Sequence, residues 1–302
     1  MTNNIVQAQG LCRRFGRHEA LRGLNFSVPE GSVYALIGAN GAGKTTAVKI
    51  LVNLIEPMQG TATIMDADSR TLPPTVLAQI GYVAENQVLP GRLRIRDYFD
   101  YLRGFYPSWD GALEASLRDR LQLPAERRIG ALSHGMRIKV ALAAALVYRP
   151  RLLILDEPFA GLDVLVRDEL MESLLQQAGE LTVLVTSHDF GEIEGVTTHV
   201  GFMHDGRMLL EEHMADLGSR LREVRVTLEQ PARVPEPWPR EWLEARTFGN
   251  VLTFIDTRHA PETFGERVRS VLGPVRQIDA VPMPLRAQFG VIERAARAGV
   301  TA

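Results

Sequence analysis

The sequence predicts an α/β fold followed by a small α+β appendage, and three features indicate it. Residues 33–37 are continuously apolar, as in a strand buried on both faces, and a glycine-rich turn and a helical stretch follow. Two further apolar runs, 152–155 and 182–186, have the same character and flank a helical pattern at 163–177. Strands that alternate with helices in this way predict a parallel sheet.

The composition is that of an ordinary globular protein, with 45% hydrophobic and 23% charged residues among 302. Lys and Arg number 34 and Asp and Glu 36, so no global basic field favours nucleic acid, and we expect no nucleic-acid partner. The single cysteine, Cys12, excludes an intrachain disulfide. The chain begins without an apolar signal segment, and its most apolar stretch, 140–148, is too short for a membrane helix. We therefore expect a cytoplasmic location, with any membrane contact made through a partner.

The first elements in order are a strand at 24–28, which alternates apolar and polar residues, the buried strand at 33–37, and a helix at 45–54. From about residue 88 to 149 the pattern becomes entirely helical. Helical spacing occurs at 95–105 and at 108–121, where Ser108 is the expected N-cap. Ser133 opens a further helix that continues to about Tyr148.

The end of the main domain is expected near residue 216. Asp205-Gly206 supplies the positive φ angles of a tight hairpin between two apolar runs. Beyond the boundary, at 217–302, strands are expected at 222–228 and 251–255 and a helix at 264–272. This pattern predicts a small α+β accessory domain.

The segment 38–45 satisfies the P-loop pattern at every required position, between a buried strand and a helix. In such a loop the glycines let successive backbone N–H groups face phosphate, and the helix start adds a positive dipole end. Lys44 is expected to contact the β and γ phosphates and Thr45 to place its hydroxyl on Mg²⁺. The alternative interpretation is a glycine-rich turn with a chance lysine.

Two adjacent carboxylates end the strand at 152–155. Asp156 is expected to hold Mg²⁺, directly or through water, and Glu157 to orient or deprotonate the water that attacks the γ-phosphate. His188 follows the strand at 182–186 and is expected at the same sheet edge, where it could bind the γ-phosphate or orient Glu157. Alone, it would more often be a surface or capping histidine.

A second anion site is indicated at Ser133-His134-Gly135-Met136, where a helix begins. Since the P-loop of the same chain already accounts for one phosphate group, this helix start is most simply explained if it faces the nucleotide of another protomer. The alternative is an ordinary serine N-cap.

Together these motifs resemble the ATP-binding cassette (ABC) ATPases over about residues 5–215. The resemblance implies a P-loop NTPase fold, with a RecA-like core, an antiparallel β subdomain and an inserted α-helical subdomain. By that resemblance 154–157 is the Walker B segment, 133–136 the signature, 161–163 the D-loop, and His188 the switch histidine. The nucleotide contacts that it implies are Phe15, Gly38, Asn40, Gly41, Ala42, Gly43, Lys44, Thr45, Thr46, Ser133, Gly135 and Asp163. It also implies ATP and Mg²⁺ as ligands, a second copy or a related ATPase subunit, and an integral-membrane permease that holds the protein at the cytoplasmic face of the membrane.

The sequence departs from the family pattern at several positions. His134 replaces a glycine and Met136 a glutamine of the signature, and Glu85 stands where the family usually has a glutamine, with Gln87 nearby. A carboxylate at 85 is expected to add a ligand for Mg²⁺ and negative charge beside the phosphates. These departures and the C-terminal tail resemble ABC-2-type bacterial exporter ATPases.

Two other interpretations stay open on sequence grounds. The chain could be a soluble ABC ATPase that acts on nucleic acid, ribosomes or cofactor assembly, for which the arginines at 92, 94 and 96 are the only support. It could also bind ATP without hydrolysing it, although the presence of Glu157 and His188 argues against that.

Overall fold

The computed structural model describes residues 3–175 and 181–297 and divides the chain into two compact units. The division lies between Glu211 and Glu212, a few residues before the boundary expected from the sequence. Within the described residues, no helix combines the length and the apolar character that crossing a membrane requires.

The N-terminal unit contains strands of two sheets. Its strands are β1 (Asn4–Phe15), β2 (His18–Pro29), β3 (Val33–Ile37), β4 (Gln59–Ile64), β5 (Ala67–Asp68), β6 (Ile80–Val83), β7 (Leu152–Asp156), β8 (Thr182–Ser187), β9 (His199–His204) and β10 (Arg207–His213), the last of which runs past the division. Its helices are α1 (Lys44–Leu51), α2 (Pro74–Leu77), α3 (Ile95–Arg103), α4 (Gly111–Arg120), α5 (His134–Leu146) and α6 (Val164–Leu175). The predicted helix at 163–177 ends outside the described residues.

The central sheet has the strand order β10-β9-β3-β8-β7-β6, and β3 pairs in parallel with both β8 and β9. Strand β7 also pairs in parallel with β8 and β6, so the predicted parallel sheet is confirmed. Every residue of β7 and β8 is buried, which explains their continuous apolar character. Because the strands are parallel, Ile37, Asp156 and Ser187 reach the same edge of the sheet.

An antiparallel sheet, in the order β2-β1-β4-β5, forms the second layer. One hydrophobic cluster joins it to the parallel sheet through helix α1. Phe26 from the antiparallel sheet, Val48 and Leu51 from α1, and Leu152 and Leu184 from the parallel sheet all belong to this cluster. Burial of such a side chain contributes about 1.5–3 kcal/mol, so this layered core holds α1 firmly against the strands.

Helices α3, α4 and α5 lie between β6 and β7 in the chain, as the sequence predicts. The prediction that Ser108 caps the second helix is wrong, because α4 begins at Gly111 and the Asp110 carboxylate accepts from the backbone N of Leu113 at 2.9 Å. Ser108 instead donates to the carbonyl of Tyr148 at 2.9 Å. A cap must directly precede the first helical residue, and only Asp110 does.

The C-terminal unit is a four-stranded antiparallel sheet with helices. Its elements are α7 (Met214–Arg220), β11 (Arg222–Leu228), β12 (Trp242–Phe248), β13 (Val251–Asp256), α8 (Pro261–Leu272), β14 (Val275–Pro282) and α9 (Leu285–Arg297). The strand order is β12-β13-β11-β14. Sequence reasoning identified β11, β13 and most of α8, but it missed β12, β14 and α9. The core of this unit is centred on Trp242, which is 1% exposed and stacks on Phe254.

Candidate functional site

The glycine-rich turn between β3 and α1 has no room for side chains at two positions. Gly43 has a φ of +105°, and a Cβ there would lie 2.4 Å from the carbonyl oxygen of Ala20. A Cβ on Gly38 would lie 2.5 Å from the carbonyl oxygen of Met203. The turn can therefore be this tight only with glycine, and it leaves the first N–H groups of α1 without helical partners.

The Lys44 side chain is folded back over this turn. Its Nζ donates to the carbonyl oxygens of Gly38 at 2.6 Å and Ala39 at 3.3 Å, and it forms an ion pair with Glu157 Oε1 at 3.0 Å. Lys44 is only 5% exposed, and a buried charge is tolerated only with such partners. The lysine thus links the turn to the carboxylate that follows β7.

Asp156, the last residue of β7, is surrounded by hydroxyl groups. Its Oδ1 accepts hydrogen bonds from Thr186 Oγ1 at 2.8 Å and from Thr45 Oγ1 at 3.1 Å. Burial raises the pKa of the Asp156 carboxyl, against the effect of these hydrogen bonds. Its other oxygen, Oδ2, is buried without a hydrogen-bond partner, so the carboxylate retains an unused acceptor.

Glu157 is held in an unusual backbone conformation beside Asp156. Its φ is +50°, a value that non-glycine residues adopt rarely, and its backbone N donates to Thr186 Oγ1 at 2.9 Å. The side chain is buried, with Oε1 on Lys44 and Oε2 at 2.8 Å from His188 Nδ1. Strain of this kind persists where the surroundings hold the residue firmly, and here the carboxylate lies between Lys44 and His188.

His188 follows β8 and closes the far side of Glu157. Besides the ring contact, its backbone N donates to Glu157 Oε2 at 3.3 Å. The hydrogen bond to Glu157 raises the pKa of His188 above its ordinary value. The expectation that His188 emerges beside the carboxylates is confirmed by this geometry.

A cavity of about 300 Å³ lies in front of these groups. The residues that line it are Phe15, His18, Ala20, Asn40, Gly41, Ala42, Gly43, Lys44, Thr45, Thr46, Glu85 and Glu157. Phe15 is 46% exposed, with the guanidinium of Arg13 at 5.0 Å from its ring centroid. The cavity therefore combines an aromatic face, a row of backbone N–H groups, one lysine and two carboxylates.

Four predicted contact residues, Gly38, Ser133, Gly135 and Asp163, are not among the residues that line this cavity, although the Gly38 carbonyl accepts from Lys44. Ser133 caps α5 by accepting from the backbone N of Met136 at 3.3 Å, and Asp163 accepts from the backbone N of Val166 at 3.0 Å. Ser133 is exposed, so the start of α5 faces solvent. One chain thus brings together the P-loop, Asp156, Glu157 and His188, but it leaves the signature segment apart from them.

Sequence reasoning missed Thr186, which contacts both carboxylate residues through one hydroxyl group. It donates to Asp156 and accepts from Glu157, and it is fully buried. A hydroxyl residue near the end of a buried strand at this edge was the available signal. The strand pattern identified Thr186 only as part of β8, because the register between β7 and β8 cannot be derived from local sequence.

The residues at this edge fit Mg²⁺. A hydroxyl group on Thr45, 3.1 Å from Asp156 Oδ1, and the unpartnered Oδ2 of the same carboxylate offer the oxygen ligands that this ion prefers. Within the described residues, no cluster of three or more His, Cys, Asp or Glu side chains could enclose a metal. Mg²⁺ is typically bound by one or two protein oxygens, waters and substrate phosphates, which agrees with so sparse a set.

Comparisons with known proteins identify the family. The sequence profile described as ABC transporter matches residues 21–160. The bacitracin transport ATP-binding protein of Enterococcus faecalis is 30% identical over 226 residues, which cover 72% of this chain and 72% of that protein. The chain belongs to the ABC transporter family. The daunorubicin resistance ATP-binding protein of Streptomyces coeruleorubidus is 33% identical over 244 residues, which cover 78% of this chain and 76% of that protein.

Solved structures agree with this assignment. The structure of an ATP-binding subunit of an ABC transporter matches with a TM-score of 0.65 and 27% identity, and covers 70% of this chain and 91% of that one. A dimeric bacterial ABC transporter cassette, at 22% identity and a TM-score of 0.61, shares the fold. The protein is therefore the ATP-binding subunit of an ABC transporter, and it is an ATPase.

The substitution Gly43→Ala tests whether the tight turn holds ATP. We expect ATP binding to weaken about tenfold or more, because strain at a positive φ costs about 1–3 kcal/mol and the new Cβ would also meet Ala20. Isothermal titration calorimetry with ATP would measure this. Gly249→Ala is the matched control, since Gly249 has a φ of +60° with no atom within 4 Å of the added Cβ, and it lies in the C-terminal unit. Equal affinity of Gly43→Ala and wild type would contradict the role of the turn.

Proposed function

We propose that the protein is the ATPase subunit of an exporter and that it binds ATP between two such subunits. The observation that carries this proposal is the separation of the phosphate-binding parts within one chain. The P-loop and Glu157 line one cavity, with Asp156 hydrogen-bonded to Thr45 and His188 to Glu157, whereas the exposed helix start at Ser133 lies outside its lining. A head-to-tail pair would bring Ser133 and Gly135 of each subunit to the ATP of the other.

In this proposal the predicted site residues have defined roles. The backbone N–H groups of 38–46 surround the phosphates, Phe15 stacks on the adenine, and Lys44 exchanges its carbonyl and Glu157 contacts for the β and γ phosphates. Thr45 and Asp156 would hold Mg²⁺, with Glu85 beside them in the cavity lining. When bound, the ion neutralises phosphate charge. Asp163 supports the dimer face through the start of α6.

Glu157 is the proposed general base. Once Lys44 turns to the phosphates, the Glu157 carboxylate retains its contact with His188 Nδ1 and is free to orient and deprotonate the attacking water. His188, with its raised pKa, then supplies positive charge near the γ-phosphate. Burial at 8% exposure keeps bulk water away from this carboxylate.

The exporter role is supported by the names of the relatives, which include bacitracin transport, daunorubicin resistance and lantibiotic transport proteins. The daunorubicin resistance protein aligns with 78% of this chain, more than the N-terminal unit alone comprises. A permease would hold the subunit at the cytoplasmic face of the membrane, and movement of the two subunits would drive export of a compound that the permease selects.

Complementation between two inactive variants tests the shared site. In a head-to-tail pair of Lys44→Ala and Ser133→Arg chains, one site carries both lesions and the other is intact. We expect an equimolar mixture to recover roughly a quarter of wild-type ATPase activity, since random pairing makes half of the dimers mixed and each has one good site. Phosphate release by each variant alone and by the mixture would measure this.

A mixture of Lys44→Ala with Glu157→Gln is the matched control. Both substitutions lie on the P-loop side, so every site in the mixed pair carries a lesion and no recovery is expected. Recovery in this control, or none in the Lys44→Ala and Ser133→Arg mixture, would contradict a site built from two chains.

A further inference from the structure

A second cavity in the N-terminal unit, of about 500 Å³, is strongly cationic. It is bordered by β1, β2, the start of β4 and the first residue of β10. Four arginines line it, Arg13, Arg14, Arg22 and Arg207, and the only acidic residue in the lining is Glu19. It shares no lining residue with the cavity at the P-loop, which is called the ATP cavity below.

The tertiary structure holds the arginines in this arrangement. The backbone N of Arg22 donates to the carbonyl of Gly206 at 2.9 Å, which fixes the turn that carries Arg207 against β2. Arg13 Nη1 donates to the carbonyl of Glu56 at 2.9 Å, so its guanidinium is anchored at one end. The Nε of Arg13 is buried and has no hydrogen-bond partner. Arg13 is therefore held in place while one of its N–H donors remains unpaired.

Most of the positive charge in this cavity is not neutralised by the protein. Arg22 pairs with Glu19 at 3.4 Å, but among the described residues Arg13, Arg14 and Arg207 have no carboxylate partner. Like charges around one concave surface repel one another. In the free protein, no carboxylate within the described part of the chain offsets the repulsion among these three guanidinium groups. Guanidinium groups bind phosphate oxygens through paired N–H donors, and several of them converge here.

We propose that this cavity binds a small soluble anion that carries two phosphate groups, at a site distinct from the ATP cavity. Its volume suits such a ligand, and its charge selects it over neutral molecules. Arg13 connects the two cavities, because its guanidinium lies 5.0 Å from the ring centroid of Phe15, which lines the ATP cavity. The anion is thus bound next to the aromatic side of the nucleotide site.

Equilibrium dialysis of the full chain with radiolabelled inorganic diphosphate tests the proposal. Excess ADP keeps the P-loop occupied, and about 150 mM salt screens long-range attraction. We expect one diphosphate per chain, with an affinity that falls about tenfold or more in the double variant Arg14→Gln and Arg207→Gln, since each lost guanidinium removes charge-assisted hydrogen bonds. Both side chains are exposed, so the fold should tolerate the change, which circular dichroism verifies.

The matched control is the double variant Arg17→Gln and Arg92→Gln, which removes the same charge at exposed positions outside the cavity. We expect its affinity for diphosphate to stay within about twofold of wild type, because exposed charges outside the lining make no direct hydrogen bond to the ligand and are screened by salt. Equal loss in both double variants, or no diphosphate binding beyond the P-loop, would overturn the proposal. Binding only to vesicles with phosphorylated lipid headgroups, and not to free diphosphate, would also overturn it.

Discussion

Glu157→Gln is expected to lower ATP turnover about a hundredfold or more while ATP remains bound, because the amide cannot accept a proton from the attacking water. Glutamine retains the shape of the side chain, so the contacts of Lys44 with the Gly38 and Ala39 carbonyls should survive. Removal of the charge also ends the ion pair between Glu157 and Lys44. Lys44 then has fewer competing partners in the resting site and stays available for phosphate.

Phosphate release would measure turnover, and size-exclusion chromatography with ATP would show whether a dimer accumulates. Glu192→Gln is the control, since Glu192 also faces His188 and accepts from Ser187 Oγ at 2.7 Å. We expect that variant to retain turnover within about threefold, because no proton transfer depends on it. Unchanged turnover in Glu157→Gln would show that Glu157 is not the catalytic carboxylate.

Trp242→Ala is expected to lower the free energy of unfolding of the C-terminal unit by about 3–5 kcal/mol, as other deletions of large buried aromatic side chains do. Trp242 stacks on Phe254 with ring centroids 4.3 Å apart and contacts Trp238 at 5.3 Å. The guanidinium of Arg267 lies 5.5 Å from its ring centroid. Removal of the indole would therefore leave a cavity and end all of these contacts at once.

Hydrogen exchange measured by mass spectrometry would localise this loss to peptides of β11 and β13, and urea unfolding followed by circular dichroism would give its size. Phe248→Ala is the matched control, since Phe248 lies in the same strand but is 88% exposed. Its cost should stay within about 0.5 kcal/mol, as at other exposed sites. Similar losses of protection in both variants would show that Trp242 is not the centre of the core.

The N-terminal unit was more predictable from the sequence than the C-terminal unit. Strands β3, β7 and β8 are buried on both faces, so their composition alone identifies them, and the P-loop pattern marks the start of α1. By contrast, β14 is largely exposed and alternates poorly, and only the first residue of β12 is fully buried. Edge strands of this kind are stabilised by their neighbours in the sheet, so their local sequence carries little signal.

The sequence also identified some residues of the candidate site and missed others. Motif spacing indicated Lys44, Asp156 and Glu157, because each follows a buried strand or a glycine turn at a set position. Thr186 was missed, since its contacts with Asp156 and Glu157 arise from the pairing of β7 with β8. The arginine-lined cavity was not anticipated either, because Arg207 reaches Arg13 and Arg14 only through the hairpin that packs against β2.

By itself, the sequence determined the α/β class, the P-loop, the order of the helical block and the carboxylates after β7. These features depend on local periodicity, turn chemistry and short spacings, which are properties of short segments and do not depend on distant parts of the chain. Only the tertiary structure decided which groups lie together. It pairs Lys44 with Glu157 and Glu157 with His188, and it places four arginines around one cavity. Such contacts join residues far apart in the chain. They depend on the register of the sheets and on the packing of the hairpin, and no local sequence pattern specifies either of these.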